Sequence, residues 1–336
     1  MQIVINSYGS YIRKRGECFE IKVDEVKKEI SARKVQSLLI TTSVLISTDA
    51  ILLAHENNID VVFLDQYGDP FSRIWHSKFG STNFIRRQQL TQSESTAGVA
   101  LAKSWIENKI DNQIQLLEKL KRTRAKKQKQ IGEFISKITV FRNQFNDLNG
   151  AHIDEIRDKI FSVEAHCGKI YFQAISYILP DPYQFSGRSK RPAADLFNAF
   201  LNYGYGVLYS RIERACILSG LDPFIGFLHT DNYGKRSFVF DVIEPFRIYI
   251  DEVVVRLFSK RMVKTTMCRT IKNGVTLVKE GKQLLLTELN KAMEETIRYR
   301  GRNIKKSNIM EYECHRIANS LIGKDKNVDT VTFSDL

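Results

Sequence analysis

The sequence predicts an α+β protein, with a small β-rich N-terminal domain over residues 1–80 and a larger, mainly α-helical domain over 81–336. Three observations carry this reading. Short extended runs broken by glycine fill the first part, and a helical period takes over near Phe84. The charge is also unevenly spread: residues 1–80 hold ten Lys/Arg and ten Asp/Glu, so the whole net charge of +13 lies in the second part. A basic domain joined to a neutral one points to a polyanion, above all nucleic acid, facing the second domain only.

Composition excludes several other classes. At 43% hydrophobic residues, 336 residues can build two cores. The five cysteines, Cys18, Cys167, Cys216, Cys268 and Cys314, are at least 46 residues apart, which rules out a zinc knuckle or a CxxC motif and leaves buried, reduced thiols as the expectation. The N-terminus MQIVINSYGSYIRKR has no hydrophobic signal core and the apolar runs are only a few residues long, so a soluble, cytoplasmic protein without membrane association is expected.

In the first domain, Gln2 to Ile5, Tyr11 to Lys14, Cys18 to Ile21, Ser37 to Ile40, Val61 to Leu64 and Phe71 to His76 read as strands, with Gly9, Gly16 and Gly68 as turn formers. Ser47-Thr48-Asp49 can cap a short helix over Ala50 to His55, which Asn57-Asn58 would stop. That predicts one strand-helix-strand unit.

Residues 84–146 contain no proline, and Ile106, Ile110, Ile114, Leu117 and Leu120 recur at spacings of three and four, the apolar face of a long helix. It leads into Lys119 to Lys129, where seven of eleven residues are basic; a solvated helical face is the expectation there, with phosphate contact the alternative. A second helix, about 153–178, carries Ile156, Ile160, Val163, Cys167, Ile170, Tyr171 and Ala174 as an apolar stripe. Glu164 falls inside that stripe. A carboxylate there should be buried and so needs a cation, a metal or a proton. The polar loop Gln184 to Pro192 follows, and Pro192 suits the first turn of a helix running from Ala193 to at least Tyr209. Arg188, Lys190 and Arg191 would project from that loop, where a phosphate backbone is easily reached. Residues 241–260, 274–297 and 307–322 again read as helices.

The stretch FLHTDNYGKRSFVFDVIEPFR, Phe227 to Arg247, places His229 twelve residues before Asp241 and fifteen before Glu244. Asp231 to Lys235 is turn chemistry, Asp241 is suited to begin a helix, and Glu244 lies three residues on, with Pro245 tolerated in a first turn and Arg247 following. Each residue has a plain structural reading: Asp241 as a cap, Glu244 paired with Arg247, His229 as a satisfied buried histidine. Together with Glu164 they form an imidazole and carboxylate set without thiolate, which suits Mg²⁺ or Mn²⁺ better than structural zinc. In a basic domain such an ion would act on phosphodiesters.

Asn198 to Arg247 also resembles the signature of the CRISPR-associated adaptation integrase and endonuclease family, the larger protein of the spacer-acquisition pair, with NYGY, GLDP, GFLH and DVIEPFR in order. STDAILLAHENNIDVVFLDQYGDP, RRQQL from Arg86 and VEAHCGKIY from Val163 extend the resemblance over most of the chain. After the family glutamate the residues are usually small, whereas His166 and Cys167 stand here. The resemblance implies a β-rich dimerisation domain and a helical catalytic, DNA-binding domain. It implies Glu164, His229 and Glu244 as metal ligands, with Asp241 orienting a ligand from behind. It further implies metal-dependent DNA cleavage and joining of DNA 3′-hydroxyl ends into a repeat array for antiviral defence, on double-stranded and branched DNA, by a homodimer working with a small adaptation partner. Arg188, Arg191 and Lys235 are the expected DNA-backbone contacts. The alternative is a noncatalytic DNA-binding scaffold whose acidic cluster only stabilises the helical domain.

Overall fold

The computed structural model describes residues 2–65, 70–74, 83–190, 192–229 and 234–324. They divide into two compact units, one of residues 1–80 with 202–210, the other of 81–201 with 211–336.

Residues 1–80 of the first unit hold, among those described, the strands β1 (Gln2–Ile5), β2 (Ser10–Arg15), β3 (Cys18–Val23), β4 (Val26–Ser31), β5 (Ser37–Ile40), β6 (Val44–Ile46), β7 (Asp60–Leu64) and β8 (Pro70–Ile74), with the α-helix α1 (Thr48–Glu56) between β6 and β7. The strands form two four-stranded sheets, ordered β1-β5-β7-β8 and β4-β3-β2-β6. In the first, β1, β5 and β7 run parallel and β8 antiparallel; in the second, β2, β3 and β4 form a meander and β6 lies parallel to β2. The central strand β5, Ser37-Leu38-Leu39-Ile40, is buried on both faces, as a continuous apolar run in a parallel sheet should be. On β2 the burial alternates, with Ile12 inside and Tyr11 outside. Leu53 and Ala50 of α1 join Ile12, Phe19, Leu38 and Val61 in one core. Ser47 does cap α1, its hydroxyl accepting from the Ala50 N–H at 3.2 Å.

Two strands of this unit, β4 and β6, are absent from the sequence reading. β4 is a mostly exposed, charged edge strand without an apolar alternation, and β6, though apolar, is only three residues long, too short to stand out as a strand. Gly68 and the end of the run predicted to reach His76 lie outside the described residues.

The second unit is mainly helical: α2 (Asn83–Ser93), α3 (Thr96–Arg122), α4 (Gln128–Asn143), α5 (Arg157–Ile178), α6 (Leu196–Leu218), α7 (Ser237–Val242), a 3-10 turn over Glu244–Phe246, α8 (Arg247–Ser259), α9 (Lys279–Met293) and α10 (Lys306–Leu321). The middle of α6, residues 202–210, groups with the strands of the first unit. The hairpins β9 (Cys268–Ile271) with β10 (Gly274–Leu277), and β11 (Thr296–Tyr299) with β12 (Arg302–Lys305), flank α9. Among the described residues no helix is long and apolar enough to cross a membrane.

Several boundaries correct the sequence reading. The apolar face Ile106 to Leu120 does lie on one long helix, α3, and the helical region from Phe84 is divided into α2, α3 and α4. Ser95 caps α3 through the Gly98 N–H at 3.2 Å, and a Cβ on Gly98 would lie 2.1 Å from the Gln92 carbonyl oxygen, so the α2–α3 corner requires glycine. The basic run Lys119 to Lys129 spans the α3–α4 connection instead of lying along one helical face. Asp195, not Pro192, opens α6, its carboxylate accepting from the Asn198 N–H at 2.8 Å. Residues 274–277, 296–299 and 302–305 are strands, because Asn273 (φ 66°) and the pair Arg300 (φ 49°) and Gly301 (φ 74°) supply the left-handed backbone of their two-residue turns.

A buried bond ties α5 to α8: the Tyr171 hydroxyl donates to Asp251 Oδ2 at 2.9 Å. Charge-assisted and out of water, it ranks among the stronger hydrogen bonds. Tyr171→Phe is expected to cost about 1.5–3 kcal/mol of stability, read as a lower urea midpoint with an unchanged slope.

Candidate active site

Three chain segments meet around one lysine. Lys109, midway along α3, places its ammonium against Glu164 Oε1 of α5 and 2.6 Å from Glu244 Oε2 of the 3-10 turn. Arg247 then grips the same Glu244 in a fork, Nε to Oε2 at 2.9 Å and Nη2 to Oε1 at 2.8 Å. The Glu244 side chain is 4% exposed and that of Glu164 22%. Full burial, expected for Glu164, belongs instead to Glu244, because Glu164 projects from the edge of the α5 stripe.

Electrostatics follow from this packing. Burial works against the Glu244 carboxylate, but Arg247 and then Lys109 outweigh it and hold the group well below the usual carboxylate range. Burial likewise opposes the Lys109 ammonium, and Glu164 and Glu244 outweigh it, so its pKa is raised. Glu244 and Lys109 are therefore kept ionised where water is scarce.

Asp241 has a different task. Its side chain is fully buried and accepts from the backbone N–H groups of Phe227 at 2.6 Å, Leu228 at 3.1 Å and His229 at 3.0 Å, and pairs with His229 Nδ1 at 2.6 Å. It lies inside α7 and does not begin a helix, which corrects the sequence reading. What it caps is the Phe227 to His229 loop, and by engaging Nδ1 it leaves Nε2 as the ring nitrogen able to act as a ligand.

The same loop is fixed from three further sides. The buried Gln89 side chain of α2 donates to the Asp222 and Ile225 carbonyls, both at 3.0 Å, and accepts from the Asp222 N–H at 2.8 Å. Arg157 Nε donates to the Leu228 carbonyl at 2.9 Å, and Trp105 of α3 meets Phe227 and Phe238 edge-on at 5.7 and 5.8 Å. A Cβ on Gly226 would lie 2.5 Å from the His229 carbonyl oxygen, so only glycine lets the chain double back there. Asn112, one turn beyond Lys109, donates to the buried Pro245 carbonyl at 2.9 Å and pins the 3-10 turn to α3.

Glu164 and Glu244 are thus brought to a common cation, and Asp241 to His229. The His229 ring packs against Phe161, one turn before Glu164 on α5, at 5.5 Å between centroids. Among the described residues no three His, Cys, Asp or Glu side chains are grouped closely enough to hold a metal ion. The donor chemistry nevertheless fits a hard or borderline divalent ion, because the two carboxylates already gather around a cation, the Lys109 ammonium, and the oriented His229 imidazole packs on Phe161, one turn from Glu164. Of the departures noted in the sequence, His166 stacks on Phe141 at 4.9 Å, and Cys167 is buried against α4 with its thiol pushed up to about 12 by burial, which makes it inert.

Of the expected DNA contacts, Arg188 donates to Asn198 Oδ1 at 2.9 Å and lies over the Phe172 ring, while Lys235 is exposed ahead of α7. Arg191 lies outside the described residues. Lys190, from the same loop as Arg188, has an ammonium held below its usual value by desolvation and then by the like charges of Arg247, Arg188 and Lys109. The sequence reading did not single out Lys109, Asn112 or Gln89. Trp105, Lys109 and Asn112 recur at spacings of four and three, a mixed polar stripe beside the apolar one on α3, and that was the available signal.

The family model described as CRISPR associated protein Cas1 matches residues 3–291. A relative from Archaeoglobus fulgidus, the "CRISPR-associated endonuclease Cas1 1", is 32% identical, the match covering 96% of this chain and 97% of the relative. Two solved structures share the fold. One is a casposase bound to integration product, at 22% identity and a TM-score of 0.82, covering 98% of this chain and 92% of the other. The other is a Cas6-RT-Cas1–Cas2 complex, at 18% identity and a TM-score of 0.80, covering 97% of this chain and 35% of the other.

Asp241→Ala would leave the amides of Phe227, Leu228 and His229 without their acceptor. A loss of about 2–4 kcal/mol is expected, measured by urea unfolding, with Asp241→Asn losing less because it keeps an acceptor oxygen.

Proposed function

Because the chain belongs to the CRISPR associated protein Cas1 family, we propose that it is a Mg²⁺- or Mn²⁺-dependent DNA endonuclease and integrase of CRISPR adaptation, joining 3′-hydroxyl ends of new spacers into a repeat array by transesterification. The observation that carries this reading is the convergence of Glu164 and Glu244 on one cation, with His229 packed on Phe161 one turn from Glu164 and oriented by a fully buried carboxylate.

In this reading Glu164, Glu244 and His229 hold the ion, and Asp241 fixes the His229 ring through Nδ1. A bound Mg²⁺ or Mn²⁺ supplies Lewis-acid polarisation of a phosphate oxygen and charge stabilisation at the leaving 3′ oxygen. Arg247 keeps Glu244 ionised and aimed inward. Arg188, Lys190, Arg191 and Lys235 steer and hold the DNA backbone, in keeping with a charge excess lying wholly in residues 81–336. A DNA 3′-hydroxyl attacks in joining and water attacks in cleavage, both in line with the leaving oxygen. The named activity of the Archaeoglobus fulgidus relative supports cleavage, and the casposase on its integration product supports joining. The substrates are double-stranded and branched DNA. The working assembly is a homodimer formed through the β-rich domain, with a small partner; the Cas1–Cas2 complex of the same fold supports that partner.

A noncatalytic DNA-binding scaffold has one observation in its favour, the neutralisation of both glutamates by Lys109 and Arg247. Glu164→Gln and His229→Ala separate the two readings. Each is expected to lower Mn²⁺-dependent cleavage and joining of branched DNA by about 100-fold or more, while salt-sensitive DNA binding and the melting temperature change little. Full activity in both variants would overturn the ligand assignment, and a parent protein that binds DNA but neither cleaves nor joins it would leave the scaffold standing.

A further inference from the structure

The group that holds the two glutamates together is a lysine, and its place is the one a bridging ion would need. Lys109 enters from α3, 55 residues from Glu164 and 135 from Glu244, and is in contact with both. Both lone-pair directions of Glu244 Oε2 are engaged, one by Lys109 and one by Arg247 Nε. A divalent ion at bonding distance from Glu164 and Glu244 would share these oxygens with the ammonium. Two cations on one carboxylate oxygen repel strongly where little water screens them, and the Lys109 side chain is 12% exposed. Arg247 is the less movable competitor, because its fork makes two bonds to one carboxylate, whereas Lys109 is a single point charge on four rotatable carbons.

Resting on the metal reading above, we infer that Lys109 is an internal cation that occupies the bridging position between Glu164 and Glu244 and must be dislodged by the incoming divalent ion, so that it sets the metal concentration at which the site fills. In this role Lys109 is a positioning residue. It keeps two like charges gathered in the metal-free protein and prevents the repulsion that would otherwise splay α5 from the 3-10 turn. It also selects for ions that compete with an ammonium through charge, which favours divalent over monovalent cations.

The test is Mn²⁺ binding by calorimetry or electron paramagnetic resonance on the full chain, with thermal melting alongside and no DNA present. Lys109→Met is expected to bind Mn²⁺ about tenfold tighter or more, to melt lower than the parent protein without metal, and to gain more from Mn²⁺ than the parent does. Adding Glu164→Gln to Lys109→Met should abolish the gain. Equal or weaker Mn²⁺ binding by Lys109→Met would overturn the inference and mark Lys109 as a structural counter-ion, with the metal reading intact if Glu164→Gln still weakens binding in the parent. Parent binding indifferent to Glu164→Gln would overturn both. If Lys109→Met does not fold, Lys109→Arg keeps the charge and is bulkier; it should bind Mn²⁺ more weakly than the parent, and unchanged affinity would contradict the inference.

Discussion

Lys109 carries one positive charge into contact with two carboxylates that come from opposite parts of the helical unit, and the packing around it serves that contact. Two ionised glutamates repel where water is scarce, and a cation between them offsets that cost. Given the cation, the same proximity becomes a ready-made site for a different one. Asn112 fastens the 3-10 turn to the helix that bears the lysine, and Tyr171 with Asp251 locks α5 to α8, so Glu164 and Glu244 approach from rigid elements instead of loops. The charged group is the constraint, and the helix geometry follows from satisfying it.

The histidine arm is organised on another principle. Its chain segment is irregular, so its backbone amides must find acceptors outside a helix or sheet. Asp241 collects three of them and the imidazole in one carboxylate, Gln89 serves the turn just before, and Gly226 permits the tight return. Loop shape and ring orientation thereby depend on the same side chain. The two arms meet at α5, where Phe161 touches the His229 ring and Glu164 touches Lys109.

Much of this was legible in the sequence, and what was not has physical causes. Glu164 stood out because a carboxylate in an apolar stripe demands a partner, and Glu244 with Arg247 because three-residue spacing puts them side by side. Asp241 was misread as a helix start, since a buried aspartate that caps a preceding loop has the same local pattern as one that caps a following helix. Lys109 went unnoticed because a lysine on a long basic helix is normally solvated; only the approach of residues far away in sequence makes it special. In the first unit, β5 and α1 announced themselves by continuous burial and by Ser47, whereas the edge strand β4, exposed and charged, carried no periodic signal. The two C-terminal hairpins turned on left-handed backbone at Asn273, Arg300 and Gly301, which short strands beside a helix-rich region easily conceal.

The central claim is that one ion replaces one ammonium between Glu164 and Glu244. A crystal structure of the full chain grown with Mn²⁺, with the anomalous signal recorded at the manganese edge, tests it most directly. The account predicts a single anomalous peak about 2 Å from oxygens of both glutamates and from His229 Nε2, with the Lys109 ammonium withdrawn from both carboxylates. Anomalous density elsewhere, or manganese bound while Lys109 still bridges Glu164 and Glu244, would contradict it.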